Sequence, residues 1–338
     1  MDGESVVEEQ AGNGVAASAI RLVRDYGNGR VRVDRHARRT NGDLGTQRLS
    51  LRDLHERVEV ALAEIEFAVP TGAERLAEAA RYALLAGGKR VRPVLVMATV
   101  QAMGFPVDDA LPTACAIELI HTNSLIVDDL PAMDNHARRR GRKALHRVYG
   151  DDIAILAGCA LLGEAQRLIL EEQHGSAELR NLLLRIVLQA TGVPGMVAGQ
   201  FLDVTRYRPS DAGDLERMQM LKTGTLIVAC VRCGALLAGC QMSEAFAGFA
   251  HSLGALFQVV DDILDETGKA RWLGKIPGSD RRSGKLTNVT MFGLGYARET
   301  AMALHERCHS CLDEIALSMP GPVDALREIT DGVYQRNR

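Results

Sequence analysis

An all-α fold is predicted, on three observations. Hydrophobic residues make up 46% of the 338 positions, aromatics make up only 4%, and Ala, Leu, Val and Gly fill long stretches without a strict two-residue alternation. Apolar side chains instead recur at three- and four-residue steps, the period of a helix that buries one face. That much apolar material suffices for a sizeable core.

Residues 1–49 are rich in Gly, Arg, Asp and Asn and show no sustained apolar period, so they are read as a flexible N-terminal extension. From Ser50 the pattern changes. Leu51, Leu54, Val58, Leu62 and Ile65 fall at helical spacing with Ser50 as N-cap, and a folded domain is assigned to residues 50–338. Thr71-Gly-Ala-Glu74 has capping-box spacing ahead of a helix carrying Leu76, Ala80, Leu84 and Leu85, which Gly87-Gly88 stops. Further helices are predicted at roughly 91–103, 109–128, 151–172, 178–205, 212–239, 243–268, 288–316 and 322–335, separated by Gly, Pro or polar breaks. The total is about ten helices, with no strand and no repeat of fixed period.

A net charge of −3 and a pI near 6.3 offer no field for nucleic acid, so the basic residues are read as local phosphate contacts. The first residues are acidic, no apolar leader follows Met1, and no uncharged run approaches the length of a membrane span; a cytoplasmic protein is expected. The seven cysteines lie mostly in apolar helical segments (Cys115, Cys159, Cys230, Cys240) and read as reduced thiols. Cys230-x2-Cys233 and Cys308-His309-Ser310-Cys311 have metal-like spacing, yet their helical flanks and the lack of a further paired Cys/His cluster favour ordinary helix residues.

The chemistry is concentrated in two aspartate clusters, Asp128-Asp129-x4-Asp134 and Asp261-Asp262-x2-Asp265, each ending a strongly apolar segment. Carboxylates at a helix C-terminus oppose the helix dipole and repel one another without a cation, which argues against mere surface decoration. Magnesium ions would compensate them, since hard divalent cations take carboxylate and phosphate oxygens together. Glu118, His121, Leu125 and Asp128 share one helix face, and Pro131 breaks the helix so that Asp134 can return beside Asp128. Cations are spaced to match. Gly87-Gly88-Lys89-Arg90-Val91-Arg92-Pro93 is a Gly-rich turn suited to phosphate, Arg138-Arg139-Arg140 is a possible anion clamp, and Lys222-Thr223-Gly224 interrupts an apolar helix. Each alone also fits solvated surface, a snorkelling Lys222, or exposed loop charge at Lys275 and Lys285.

These motifs, together with Gly199-Gln200 and Phe257-Gln258 ahead of the second cluster, resemble the trans-isoprenyl diphosphate synthases, in order from about residue 52 to the C-terminus. The likeness is greatest to bacterial farnesyl and plant-type geranylgeranyl diphosphate synthases. The resemblance implies an antiparallel all-α bundle around a deep central cavity, usually as a homodimer. It implies Mg²⁺, three ions with substrate bound, held by Asp128, Asp134 and Asp261, with Asp129, Asp262 and Asp265 completing the clusters. Arg139, Lys222, Thr223, Gln258 and Lys275 would contact the allylic diphosphate, and Lys89, Arg92, His121 and Arg140 would seat isopentenyl diphosphate.

Product length is expected to depend on Asn123 and Ser124, about 6 to 7.5 Å below Asp128 at helical rise. Bacterial farnesyl synthases commonly carry an aromatic side chain matching Asn123, so the smaller Asn123 favours a C20 product over C15. The chain departs from the family at Val127 (usually His), His136 and Ala137 (usually acidic), Cys159 (usually Asp) and Asn288-Val289 (usually Tyr-Pro). A regulatory, non-catalytic subunit is the competing reading from another class, and a terpene cyclase a third. The retained clusters disfavour the former, and the second cationic site disfavours the latter.

Overall fold

The structure is a computed structural model describing residues 48–267 and 284–337, together with two short strands near the N-terminus. Those strands, β1 (Leu22–Arg24) and β2 (Val31–Val33), pair antiparallel and belong to a unit of their own. The rest of the expected extension 1–49 lies outside the described residues, apart from Arg48 and Leu49.

The second unit is helical. α1 (Leu51–Glu64) starts where Ser50 and Asp53 form a reciprocal capping box, Asp53 N–H donating to Ser50 Oγ while the Asp53 carboxylate accepts from Ser50 N–H. Just upstream, Leu49 is buried and both its backbone groups bond the Gln101 amide. α2 (Glu74–Leu84) begins without the expected box: Ala73 is its N-cap, and Glu74 accepts instead from Gly72 N–H at 3.0 Å. α3 (Val91–Ala102) is the central helix, buried from Arg92 to Ala102 and packed by α1, α4 (Leu111–Asp129) and α10 (Thr225–Leu237). An element buried all round has no polar stripe, which is why its apolar pattern lacks a clear period.

α5 (His146–Tyr149) is a single turn leading into α6 (Asp151–Arg167), which continues as a π-helical turn, Leu168–Glu172. The helix expected over 178–205 is two helices, α7 (Ala177–Thr191) and α8 (Met196–Val204), because Gly192-Val193-Pro194-Gly195 cannot continue α7. The stretch 212–239 is also divided, into α9 (Ala212–Gln219), a π-helical turn Met220–Gly224, and α10. α11 (Glu244–Thr267) packs along α12 (Asn288–Ser318), whose helical course is broken at Gly293 (φ 88°), and α13 (Asp324–Tyr334) lies against both.

The expectation of no strand needs one further correction. β3 (Arg138–Arg139) and β4 (Arg142–Lys143) form a hairpin through Arg140 and Gly141, both at positive φ, the geometry a two-residue loop demands. Four helical stretches, Asp108–Asp129, Asp151–Glu172, Ala177–Val204 and Ala212–Leu237, are long and apolar enough to cross a membrane by length and composition alone. Much of the first is accounted for by protein packing, since α4 is buried between α3 and α6.

Candidate active site

α4, α8, the turn after α9, and α11 line one cavity of about 700 Å³. α4 ends at Asp129, as Pro131 requires, and the chain folds back so that Asp134 N–H donates to the Asp128 carbonyl at 2.9 Å. Asp128, Asp134 and Asp261 all line the cavity. Burial pushes the Asp128 carboxyl above the ordinary carboxylate range, an effect the Lys222 ammonium only partly offsets. No described residue hydrogen-bonds this carboxylate. A cost of that kind is removed by a cation, so the donor set fits magnesium.

The remaining cluster members are differently employed. Asp129 is buried and turned away from the cavity, gripped by the Arg139 guanidinium at 2.5 Å and by His136 at 3.2 Å. It holds Arg139, which lines the cavity, in place. Asp262 is at the cavity edge but 3% exposed, and it accepts from Gln219, Gln258, and the Asn288 side chain and backbone at 2.9–3.0 Å. Burial raises its carboxyl to about 6 despite those donors. Asp265 is buried and does not line the cavity.

Opposite the aspartates is a carboxylate that sequence reasoning missed. Asp203 on α8 is contacted by Lys222 at 2.5 Å and Lys285 at 3.1 Å, and Lys285 also reaches Asp134 at 3.4 Å. Burial alone would raise Asp203, but the two ammonium groups hold it below the ordinary carboxylate range. The available signal was a lone charge on an apolar helix, one turn beyond Gln200, which also lines the cavity. Lys222 and Thr223 occupy the π-helical turn, and Thr223 donates to Gln258 at 2.9 Å. A Cβ on Gly199 would lie 2.2 Å from Lys222 N, so only glycine lets α8 approach this turn.

A second cationic group lies beside the first. Arg92 is buried, bonds His121 at 3.2 Å, and has an Nε with no partner among the described residues. Burial, and then the Arg92 charge, depress His121 well below the ordinary histidine value, so it is neutral at pH 7. Arg140 bonds Glu118 at 3.3 Å and packs over Gly88, where a Cβ would lie 2.8 Å from its guanidinium carbon. This brings the Gly87–Pro93 turn and the hairpin together. Lys89 is held below the ordinary lysine value by burial and by Arg336 nearby. Arg90 has a different task, filling the core between Glu59 and Glu118 at 2.8 and 2.7 Å. Lys89 and Arg140 do not line the main cavity, and Lys275 lies outside the described residues.

Asn123 and Ser124 line the cavity below Asp128. Asn123 packs on α6 at Gly158, where a Cβ would meet its Oδ1 at 2.5 Å. Of the departures from the resembled pattern, Val127 and His136 line the cavity, Cys159 is exposed, and Asn288 bonds Asp262 and Gln219.

An all-α bundle whose cavity is lined by carboxylates, cations and apolar side chains together defines an enzyme class suited to anionic substrates with hydrocarbon tails. The polyprenyl synthetase family profile matches residues 73–315. A dimethylallyltranstransferase of Fischerella ambigua (strain UTEX 1903) is 40% identical over 79% of each chain. A geranylgeranyl diphosphate synthase of Cyanophora paradoxa is 38% identical over 84% of this chain and 95% of its own. The fold is similar to that of a Helicobacter pylori geranyltransferase solved with magnesium and isoprenyl diphosphate (TM-score 0.74, 29% identity, 84% of this chain and 95% of that one). The protein belongs to the polyprenyl synthetase family and is a prenyltransferase.

Proposed function

We propose that the enzyme condenses isopentenyl diphosphate with allylic diphosphates and that its product is geranylgeranyl diphosphate. The observation carrying this reading is the convergence of Asp128, Asp134 and Asp261 on one cavity, with Lys222, Lys285 and Arg139 around them and Arg92 and His121 adjacent. Two anion sites side by side suit two diphosphates.

Asp128, Asp134 and Asp261 would hold Mg²⁺, three ions with substrate bound, and that metal would neutralise charge on the leaving diphosphate. Lys222, Arg139, Thr223 and Gln258 bind the same group and fix its direction, and Asp129 keeps Arg139 from turning away. Lys275 is assigned to this allylic set on its place in the sequence. Lys89, Arg92, His121 and Arg140 seat the second diphosphate, the unpartnered Arg92 Nε being a ready donor. Breaking the allylic C1–O bond then leaves a cation for the isopentenyl double bond to attack, and the departing diphosphate takes the released proton. Apolar walls including Leu125, Leu226 and Phe257 keep water from the cation.

The C20 assignment rests on Asn123 and Ser124 at the floor and on the synthase names among the relatives. A homodimer is part of the proposal, supported by exposed apolar side chains on neighbouring helices: Ile155, Leu156, Leu188 and Phe201. Asp128→Ala or Asp261→Ala should lower turnover by at least about a hundredfold with helicity retained. Wild-type turnover in either variant would remove the metal assignment.

A further inference from the structure

Away from the active-site cavity, two histidines and a carboxylate meet at one point. His305 and His309 stand one turn apart on α12, and Asp331 faces them from α13. Asp331 Oδ1 lies 2.7 Å from His305 Nε2 and 2.9 Å from His309 Nε2, and the two nitrogens are 3.2 Å apart. We propose that His305, His309 and Asp331 form a binding site for a transition-metal ion of the zinc class, fastening α13 to α12.

Three donor atoms around one vertex are arranged as ligands of one ion. Zinc takes imidazole nitrogen and carboxylate oxygen at about 2.0–2.2 Å in tetrahedral geometry, which sets neighbouring ligand atoms about 3.4 Å apart. The observed separations need only a small opening to match. A hydrogen-bonded cluster is a poorer use of the same atoms, since both imidazoles crowd one carboxylate oxygen and bring their own Nε2 atoms within 3.2 Å of each other. The side chains are 21%, 27% and 42% exposed, which leaves solvent to complete the coordination. Tyr334 stacks on His305 with centroids 4.3 Å apart and restrains the ring. The Cys-His-Ser-Cys stretch at 308–311 therefore contributes its histidine, while Cys308 faces the core.

Nitrogen ligands separate this site from the all-oxygen magnesium site: Mg²⁺ prefers oxygen, whereas Zn²⁺, Co²⁺, Ni²⁺ and Cu²⁺ favour imidazole. One neighbour works against the metal. Arg327 Nη1 lies 3.2 Å from His309 Nδ1, and ligation through Nε2 requires the His309 proton to sit on Nδ1, facing that donor. Arg327 already bonds Asp313 at 2.5 Å and can turn wholly to it. Arg327→Gln, which offers an acceptor to Nδ1–H, should therefore tighten the site.

The test is Zn²⁺ titration of the full-length protein by calorimetry in excess Mg²⁺, with metal content measured after dialysis. One Zn²⁺ per chain is expected, weakened more than about tenfold in His305→Ala, His309→Ala and Asp331→Asn, unchanged in Cys311→Ser and Cys159→Ser, and tightened in Arg327→Gln. Cu²⁺ bound instead should show two coupled nitrogens by electron paramagnetic resonance. Equal zinc affinity in the wild type and both histidine variants, or no binding at micromolar Zn²⁺, would overturn the proposal.

Discussion

Individual residues divide between those that touch the cavity and those that hold them. Asp129 and Asp262 sit next to Asp128 and Asp261 in sequence, yet each is buried in hydrogen bonds to protein. Asp262→Ala would leave several buried donors unpaired and should cost about 3 kcal/mol in denaturant unfolding. His121 makes a pH prediction. Its folded value lies below the ordinary 6.5, so the unfolded chain takes the proton first and stability falls as pH drops through 6.5. His121→Gln should flatten this acid-side loss of Tm in the ligand-free protein; an unchanged slope would show that His121 is not its source. Asn123→Tyr should shift the product from C20 towards C15, and an unshifted distribution would take Asn123 out of the floor.

At the scale of elements, placement comes from helix ends and irregular turns. Pro131 stops α4 so that Asp134 returns to Asp128, and this was legible because proline cannot continue a helix. The π-helical turn at Met220–Gly224, which carries Lys222 and Thr223, was not legible, since nothing in its apolar flanks distinguishes a five-residue turn from an α-helix. The division of α7 from α8 was missed although Gly192, Pro194 and Gly195 mark it. Asp203 went unread, and Lys285 was read without its partner, because their pairing joins residues far apart in the chain. Gly199→Ala tests this packing: a methyl pressed on Lys222 N should destabilise by about 1–3 kcal/mol and lower turnover by displacing Lys222 from Asp203. Wild-type stability would mean that α8 can retreat.

For the whole molecule, an apolar helical bundle supplies what the chemistry needs: one cavity whose lining combines carboxylates and cations with apolar side chains that exclude water. The helical class and both aspartate clusters could be read from composition and spacing, whereas their shared cavity was implied only by the family resemblance and is formed by the packing that brings α4 and α11 to one pocket. Product length belongs to this scale, because α6 packs at Gly158 against Asn123, the residue proposed for the floor. The most direct measurement is incubation of the purified protein with Mg²⁺, isopentenyl diphosphate and, separately, the C5, C10 and C15 allylic diphosphates, with products sized by mass spectrometry. A C20 diphosphate from each primer is the predicted result. Accumulation at C15 would contradict the floor assignment, and no product from any primer would contradict the catalytic reading itself.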